Sequence, residues 1–166
     1  ATVTKVTTPT AWPTGIDLTA AGAITVANPT APGSYNVTYR LCDKLTVPTC
    51  ATRQVTVTVT PVVTAQADSA PDVTKPTTGT VNAISNVASN DMVNGVAATL
   101  GTSGNSTISE VGTWPTDISL NTTTGAVVIG STASTSPGIY SVTYQICDKL
   151  TSPTCDTTTV SGKVKP

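Results

Sequence analysis

Four cysteines are the residues of this 166-residue sequence whose type and spacing are best suited to chemistry. They form two pairs, Cys42 with Cys50 and Cys147 with Cys155, and each pair encloses a turn-forming DKLTxPT segment. Pairing within each segment gives a disulfide that joins consecutive strands at their turn and indicates an oxidising compartment. A zinc site made by all four thiolates is the alternative, but zinc ligands normally lie two to four residues apart. The spacing favours two local disulfides.

Catalytic side chains are scarce. The sequence contains no His, and its acidic residues are Glu110 and eight dispersed Asp. Without imidazole, neither a Ser-His nor a Cys-His nucleophile can form, and no His can bind a metal. Most of the Asp residues lie beside Pro, Lys, Asn or Thr, as is typical of turns. The composition therefore predicts a protein that is not an enzyme.

Two small sets of residues are candidates for binding. Trp12 and Trp114 each precede a proline, and they either cap a core or lie exposed, where they would stack on a carbohydrate or another surface ligand. The loop with Asn90, Asp91 and Asn94 clusters oxygen-bearing side chains, which makes it a weak candidate for calcium. Asn and Asp are also ordinary turn residues, and only one carboxylate is present. We therefore expect no tightly bound cofactor, with a weak calcium site as the alternative.

The composition also limits the partners and the fold class. Eight basic and nine acidic residues are scattered along the chain, so no electrostatic footprint for nucleic acid exists. The longest apolar runs are a few residues, well short of the ~20 that a membrane-spanning helix needs. By contrast, 37 residues are Thr and 21 are Val, and these β-branched side chains favour strands over helices. An all-β protein that binds neither nucleic acid nor the membrane interior is expected.

An internal repeat organises the chain. Residues 35–61 and 140–166 align without gaps, and 16 of the 27 aligned positions are identical, including both cysteines of each pair. The match extends upstream, with a short insertion, to Trp12 and Trp114. Self-similarity at this level identifies two copies of one structural module.

The two copies differ in length. Residues 62–166 form a complete module, whereas residues 1–61 form only the C-terminal part of the repeat and lack the counterpart of about Val62–Ser103. The boundary is placed at Pro61, because a proline after the strand-like VTVTVT run interrupts strand pairing. The first module is thus truncated on its N-terminal side.

Alternating apolar and polar residues between Gly, Pro and Asn predict short strands at regular spacing, which is typical of an antiparallel β-sandwich. No helix longer than one turn is expected. The strands predicted in the first module are residues 2–6, 16–18, 23–26, 34–42 and 52–60. Those predicted in the second are residues 80–87, 97–100, 107–111, 118–120, 126–129, 138–147 and 157–164.

The amino-acid sequence of the repeat resembles that of a known family. The segment VxxNDxxNG at residues 87–95, a Gly-bounded strand at 125–129, and PGxYxVTYxxCDxxxxPTC at 137–155 followed by a Val-alternating strand are similar to the Ig-like tandem repeats of large bacterial surface proteins and adhesins. The resemblance implies Ig-like modules in tandem, secretion to the cell surface, and a role as stalk, fibre or adhesive element. It brings no catalytic residues.

These observations together predict a structural protein. A sandwich without its leading strands exposes core and unpaired edges, and strands from another copy can complete it. Such a contact joins unlike surfaces, so it propagates head to tail into an open fibre. The candidate polymer contacts are Thr2, Val3, Thr4, Lys5, Val6, Val62, Val63, Val73 and Val81. The alternative is a stalk or a carbohydrate-binding module of a surface adhesin; either protein would be extracellular or attached to the cell surface.

Overall fold

The computed structural model describes residues 1–131 and 137–166. The chain forms two compact units, Ala1–Pro61 (unit 1) and Val62–Pro166 (unit 2). Both consist of β-strands, and the helical structure of the described residues is one 3-10 turn, Val87–Asn90, in unit 2. The predicted all-β fold class is confirmed.

Unit 1 contains five strands in two sheets. The strands β1 and β5 flank the long central strand β4 in one antiparallel sheet, and β2 pairs with β3 in a hairpin. The bounds are β1 Thr2–Val6, β2 Ile16–Leu18, β3 Ile24–Val26, β4 Gly33–Cys42 and β5 Cys50–Val59.

Unit 2 repeats this arrangement and adds further strands. The sheet β12-β15-β16 is extended by β7 and β8, which both pair parallel with β16, while β9 extends the sheet β13-β14. A small third sheet has the order β11-β10-β6. The bounds are β6 Val63–Thr64, β7 Asp68–Ser69, β8 Val73–Thr74, β9 Thr80–Ile84, β10 Met92–Val93, β11 Val96–Ala97, β12 Ser106–Val111, β13 Ile118–Leu120, β14 Val127–Gly130, β15 Gly138–Asp148 and β16 Cys155–Lys165.

The core of unit 2 follows from strand alternation. In β15, Tyr140, Val142, Tyr144 and Ile146 are buried, while the residues between them are exposed or half-buried. Successive side chains of a strand point to opposite faces, so this pattern places one face of β15 against the second sheet. Side chains from both sheets meet in a single buried cluster. The sandwich predicted from the sequence is thereby confirmed.

The DKLTxPT segments form equivalent turns at the ends of the longest hairpins. The structure contains both disulfides that the spacing predicts, Cys42–Cys50 and Cys147–Cys155, each at the last pair of its ladder. In the first turn, Asp43 Oδ1 accepts hydrogen bonds from the N–H groups of Leu45 and Thr49, both at 3.1 Å. Asp148 makes the matching pair of bonds in the second turn. The Asp that follows the first cysteine of each pair therefore stabilises the turn by these two hydrogen bonds.

Two predicted strands extend three residues beyond the strands of the structure, whereas the others agree within two residues at each end. Residues 80–87 were expected to form one strand, but β9 ends at Ile84 and the chain then turns. The Asn86 side chain accepts the Ala88 N–H and caps the 3-10 turn, which a run of apolar residues does not reveal. The strand expected over 97–100 is limited to β11, Val96–Ala97.

Candidate functional site

The two units contain copies of the same repeat, but equivalent apolar side chains are more exposed to solvent in unit 1 than in unit 2. Leu41 of β4 is 47% exposed, whereas Ile146 at the equivalent position of β15 is 0% exposed. On the second sheet, Val26 of β3 is 47% exposed, and its counterpart Ile129 of β14 is 0% exposed. Positions that form the core of unit 2 are therefore open to solvent in unit 1. We call this side of unit 1 the open face; it comprises Ile24, Val26, Tyr39, Leu41 and Val55.

The segment Val62–Asn105, which we call the front, covers the equivalent face in unit 2. Its strands β7 and β8 pair with the outer edge of β16, and β9 pairs with β14. Its side chains, among them Ala83, Val87 and Val93, fill the core. Unit 1 corresponds to the rest of the module, because Thr2 pairs with Cys42 as Thr107 pairs with Cys147. We call this remainder the back; it is Ser106–Pro166 in unit 2.

In unit 1, the two strand edges that the front covers in unit 2 are unpaired, and the core is small. Among the described residues, β5 ends the sheet β1-β4-β5, and β3 pairs with β2 and with no other strand. Ile16 and Val37 are the buried hydrophobic residues of unit 1. A groove of 480 Å³ runs along the open face, lined by Val3, Ile24, Tyr39, Leu41 and Val55 together with the turn Ala20–Gly22.

In unit 2 the front also supplies polar partners to a buried tyrosine. Tyr144 Oη lies 2.8 Å from Asp91 Oδ2 and 3.2 Å from Asp68 Oδ2, as well as 3.2 Å from the Val87 carbonyl oxygen. Asp91 Oδ1 accepts the Gln66 N–H at 2.7 Å. These contacts fix the front onto β15, and we call Tyr144, Asp68 and Asp91 the tyrosine–carboxylate cluster.

Burial dominates the electrostatics of this cluster. It raises the pKa of Asp68 from 3.8 to about 6, although the hydrogen bond from Tyr144 acts in the opposite direction. Burial likewise raises the pKa of Asp91 and of Tyr144 above their ordinary values. Asp91 is buried and Asp68 is half-buried, and both carboxylates accept a hydrogen bond from Tyr144 within unit 2.

The calcium candidates have other partners in the structure. Asp91 is buried within the cluster, and the Asn94 Oδ1 accepts the Val62 N–H at 2.8 Å. Asn94 also adopts a positive φ of 50°, which suits its place in a tight turn. Asn90 follows the same pattern, with a hydrogen bond to Asp68. In the described part of the chain, no group of three or more His, Cys, Asp or Glu is placed to hold a metal ion.

The two tryptophans occupy equivalent places. Trp114 is 9% exposed and its Nε1–H donates to the Thr143 carbonyl at 2.9 Å; Trp12 donates to the equivalent Thr38 carbonyl at 3.0 Å. Trp114 is therefore part of the core cluster of unit 2. Trp12 is half-buried, and the Lys5 Nζ lies 5.5 Å from its ring centroid.

The candidate polymer contacts fall into both units. Thr2, Val3, Thr4, Lys5 and Val6 form β1, which pairs with β4 on one side and is an edge strand on the other. The remaining candidates belong to the front of unit 2, where β6, β8 and β9 already pair with strands of their own unit. They are Val62, Val63, Val73 and Val81.

Sequence reasoning missed the tyrosine–carboxylate cluster. Its members are 53 and 76 residues apart along the chain, so no local spacing indicates that they meet. Two features of the sequence could have indicated it. One is Asp91 in the VxxNDxxNG segment, and the other is Tyr144, the second Tyr of the YxVTY strand, whose side chain faces inward.

Comparisons with known proteins identify similar folds. No protein-family model and no characterised protein sequence matches this chain. Solved structures of similar fold are cadherin extracellular domains. Mouse cadherin-23 EC22–24 has 14% identity, a TM-score of 0.47, and coverage of 99% of this chain and 52% of that one. Drosophila N-cadherin EC1–4 has 13% identity, a TM-score of 0.49, and coverage of 99% and 40%.

A third such structure is the protocadherin gammaB7 EC3–6 cis-dimer, with 17% identity, a TM-score of 0.49, and coverage of 98% of this chain and 41% of that one. The chain thus spans about half or less of the length of these three structures. The likeness is one of chain fold alone. Over residues 1–131 and 137–166, no helix is long and apolar enough to cross a bilayer.

Proposed function

We propose that this chain is a structural, non-catalytic element of an extracellular or cell-surface assembly. The open face of unit 1 receives β-strands from a neighbouring polypeptide, and this strand complementation joins subunits head to tail into a filament or fibre. The observation that carries the proposal is the contrast between equivalent positions: Leu41 and Val26 are about half exposed, whereas Ile146 and Ile129 are fully buried.

Unit 1 lacks the covering strands and the buried apolar contacts that stabilise unit 2. Each large apolar side chain that moves from water into a core contributes about 1.5–3 kcal/mol, and the open face holds several. The unpaired edges of β3 and β5 offer backbone hydrogen bonds to an added strand. Because the donor and the open face are different surfaces, the contact is heterologous and repeats along an open chain.

The location and the absence of catalysis are supported separately. Both cysteine pairs form disulfides, which persist in oxidising surroundings outside the cytosol. The carboxylates with raised pKa values, Asp68 and Asp91, are engaged in hydrogen bonds with Tyr144 of the same unit.

The proposal is tested by size-exclusion chromatography with light scattering and by negative-stain microscopy of the 166-residue chain over a range of concentrations. We expect oligomers or filaments that resist high salt. Leu41→Lys should abolish them, because it places a charge on the open face. The matched control is Val47→Lys, since Val47 is 83% exposed in the disulfide turn and is not among the residues that line the groove. A folded, monodisperse monomer at all concentrations would overturn the proposal.

One observation favours a second candidate, a stalk or carbohydrate-binding module of a surface adhesin. A groove of 440 Å³ in unit 1 combines the ring of Trp12 with Lys5 and Asp17. An aromatic face beside charged hydrogen-bonding groups can bind a sugar ring. Binding of the chain to a glycan array that is lost in Trp12→Ala, together with a monomeric state, would place this function first.

A further inference from the structure

We infer that a cleft on unit 1 binds one neutral sugar residue of a glycan. Trp12 forms its aromatic wall, and the carboxamides of Asn36 and Gln54 supply its hydrogen bonds. The inference goes beyond filament formation, and it places the ligand in a different groove from the one beside Lys5 and Asp17.

The cleft combines an aromatic ring with uncharged polar groups, and we call it the tryptophan cleft. Its volume of 260 Å³ suits a ligand smaller than a drug-sized molecule, such as a single sugar ring. Val6, Pro9 and Trp12 supply apolar surface. The polar residues that line it are Thr8, Thr10, Asn36, Thr38 and Gln54.

The ring of Trp12 is positioned before any ligand binds. Its Nε1–H donates to the Thr38 carbonyl at 3.0 Å, which fixes one ring edge against β4. The side chain is half-buried, whereas its counterpart Trp114 is 9% exposed. An aromatic ring that is already ordered can stack on the apolar face of a sugar at little cost in conformational entropy.

The two carboxamides have hydrogen-bonding groups to spare. Asn36 Oδ1 accepts a hydrogen bond from Thr56 Oγ1 at 2.8 Å, and its Nδ2 group has no partner among the described residues. The side chain of Gln54 makes no hydrogen bond within the described part of the chain, and it lies on β5 opposite Thr38 of β4. Each carboxamide offers two donors and an acceptor, which together match neighbouring sugar hydroxyls that both donate and accept.

The charge of the lining indicates a neutral sugar. None of the described residues that line the tryptophan cleft is ionisable. Lys5 lines the larger groove and Val6 lines the cleft, and successive side chains of a strand point to opposite faces. An acidic sugar in the cleft would therefore gain no ion pair, and we expect binding that depends little on salt.

Unit 2 shows that the fold does not require this cleft. Five residues separate Val6 from Trp12, but only two separate the equivalent Val111 from Trp114. The longer segment supplies the wall formed by residues 8–10.

The opposite wall also differs between the repeats. The places of Asn36 and Gln54 are taken in unit 2 by Ser141 and Thr159, whose side chains are shorter and carry no amide. Both walls are thus additions to the shared repeat. Additions that together form one polar cleft beside an aromatic ring favour a ligand site over a requirement of folding.

The tryptophan cleft and the open face lie on opposite sides of one sheet. Thr38 and Gln54 line the cleft, and their neighbours Tyr39 and Val55 line the open face. Glycan binding and strand complementation therefore do not compete, and each can fail without the other.

The test begins with the 166-residue chain on an array of neutral and acidic glycans. We expect the array to retain the chain on neutral glycans. The neutral glycan that binds best is then titrated, and the side-chain amide signals of Asn36 and Gln54 are followed by NMR. Both signals should shift in a saturable way, and the dissociation constant should change less than about twofold between about 50 and 500 mM NaCl.

The decisive variant carries Asn36→Ser and Gln54→Thr, which are the residues of unit 2 at these places. It should bind the same glycan at least about tenfold more weakly, because two hydrogen-bonding amides are lost. Thr58→Ala is the matched control, since Thr58 is exposed on the same face of β5 and does not line the cleft. Its affinity should stay within about twofold of the parent, and circular dichroism checks that all variants fold.

Three results would overturn the inference: no neutral glycan is retained, only acidic glycans bind and salt weakens them, or the double variant binds as tightly as the parent. Thr25→Gln narrows the larger groove that Thr25 lines and should not affect binding. If it weakens binding and the double variant does not, the ligand lies beside Lys5 and Asp17 instead. Filaments of a chain that binds no glycan would refute this inference alone, whereas a monomer that binds through the tryptophan cleft would refute only the filament.

Discussion

Gly162 shows how one residue adapts the repeat to a complete core. A Cβ at this position would lie against Tyr140 Oη, 2.6 Å from its Cζ and 2.9 Å from the Ala70 Cβ. Unit 1 has Val57 at the aligned place, where Tyr35 is only half-buried and its Oη donates to the Ala31 carbonyl at 2.6 Å. Residue 162 is thus a glycine, without a side chain, at the place where Tyr140 and Ala70 of the front pack closely against the strand.

We expect Gly162→Ala to destabilise unit 2 by about 1–3 kcal/mol, because the added methyl overpacks a filled core. Thermal unfolding followed by circular dichroism measures the effect. Thr159→Ala is the control, since Thr159 is exposed on the same strand and should change the midpoint little. Equal midpoints for the glycine variant and the parent would contradict the packing argument.

The raised pKa of Asp68 makes the stability of unit 2 depend on pH. Its pKa rises from 3.8 to about 6 on folding, chiefly through burial, so the folded protein binds the proton more tightly than the unfolded chain. This contribution to stability is complete below about pH 4 and is lost as the pH rises through about 6. Asp91, whose pKa is also raised by burial, acts in the same direction.

Asp68→Asn should therefore stabilise unit 2 at pH 7.5 and flatten its pH dependence. The gain is about 1 kcal/mol, because Asp68 is partly exposed and solvent screens the effect. The measurement is urea unfolding at pH 5 and 7.5, with Trp114 fluorescence in a Trp12→Phe background. Asp72→Asn is the control, since the Asp72 carboxylate pairs with Lys165 at the surface. A parent protein more stable at pH 7.5 than at pH 5 would contradict the sign.

At the scale of elements, the equivalent strands β5 and β16 differ in what covers their outer edges. The Ser161 carbonyl accepts the Ala70 N–H at 2.7 Å, and the N–H of the same residue points to the same side. Thr56 occupies this place in β5, with which no further strand from the described part of the chain pairs on that side. Hydrogen exchange followed by NMR should show the Thr56 amide exchanging at least 100-fold faster than that of Ser161.

The same measurement has a built-in control. Val55 and Val160 are paired to the central strands of their sheets, opposite Val37 and Val142, so both should be protected as long as each unit is folded. Protection of Thr56 equal to that of Ser161 in a monomeric chain would mean that β5 has no free edge.

The sequence predicts the elements that carry their own pattern. The strands Thr2–Val6, Ile16–Leu18 and Ile118–Leu120 have the predicted bounds, because alternation and flanking turn residues suffice to define them. The strands β7 and β8 have two residues each, too few for alternation, and they form only by pairing with β16, about 90 residues away. The tyrosine–carboxylate cluster escapes local reasoning for the same reason: it is assembled from distant segments.

At the scale of the whole molecule, the two units should differ in stability, because the front covers the core of unit 2 whereas unit 1 has an open face. Unit 2 buries residues from both sheets in one cluster, whereas Ile16 and Val37 are the buried hydrophobic residues of unit 1. Burial is the main source of stability, so unit 1 should unfold at a lower urea concentration than unit 2. Single-tryptophan variants report each unit separately, Trp12 after Trp114→Phe and Trp114 after Trp12→Phe.

The two transitions should also respond differently to protein concentration. A partner that binds only the folded unit stabilises it by mass action, by up to about 2.7 kcal/mol when its concentration is 100 times the dissociation constant. If the open face is completed between molecules, the Trp12 transition moves to higher urea as the chain concentration rises from about 1 to 100 μM, in keeping with this linkage. The Trp114 transition should stay fixed, because the cover of unit 2 is intramolecular. A Trp12 midpoint independent of concentration, and unaffected by Leu41→Lys, would show that unit 1 is stable as an uncovered half-sandwich.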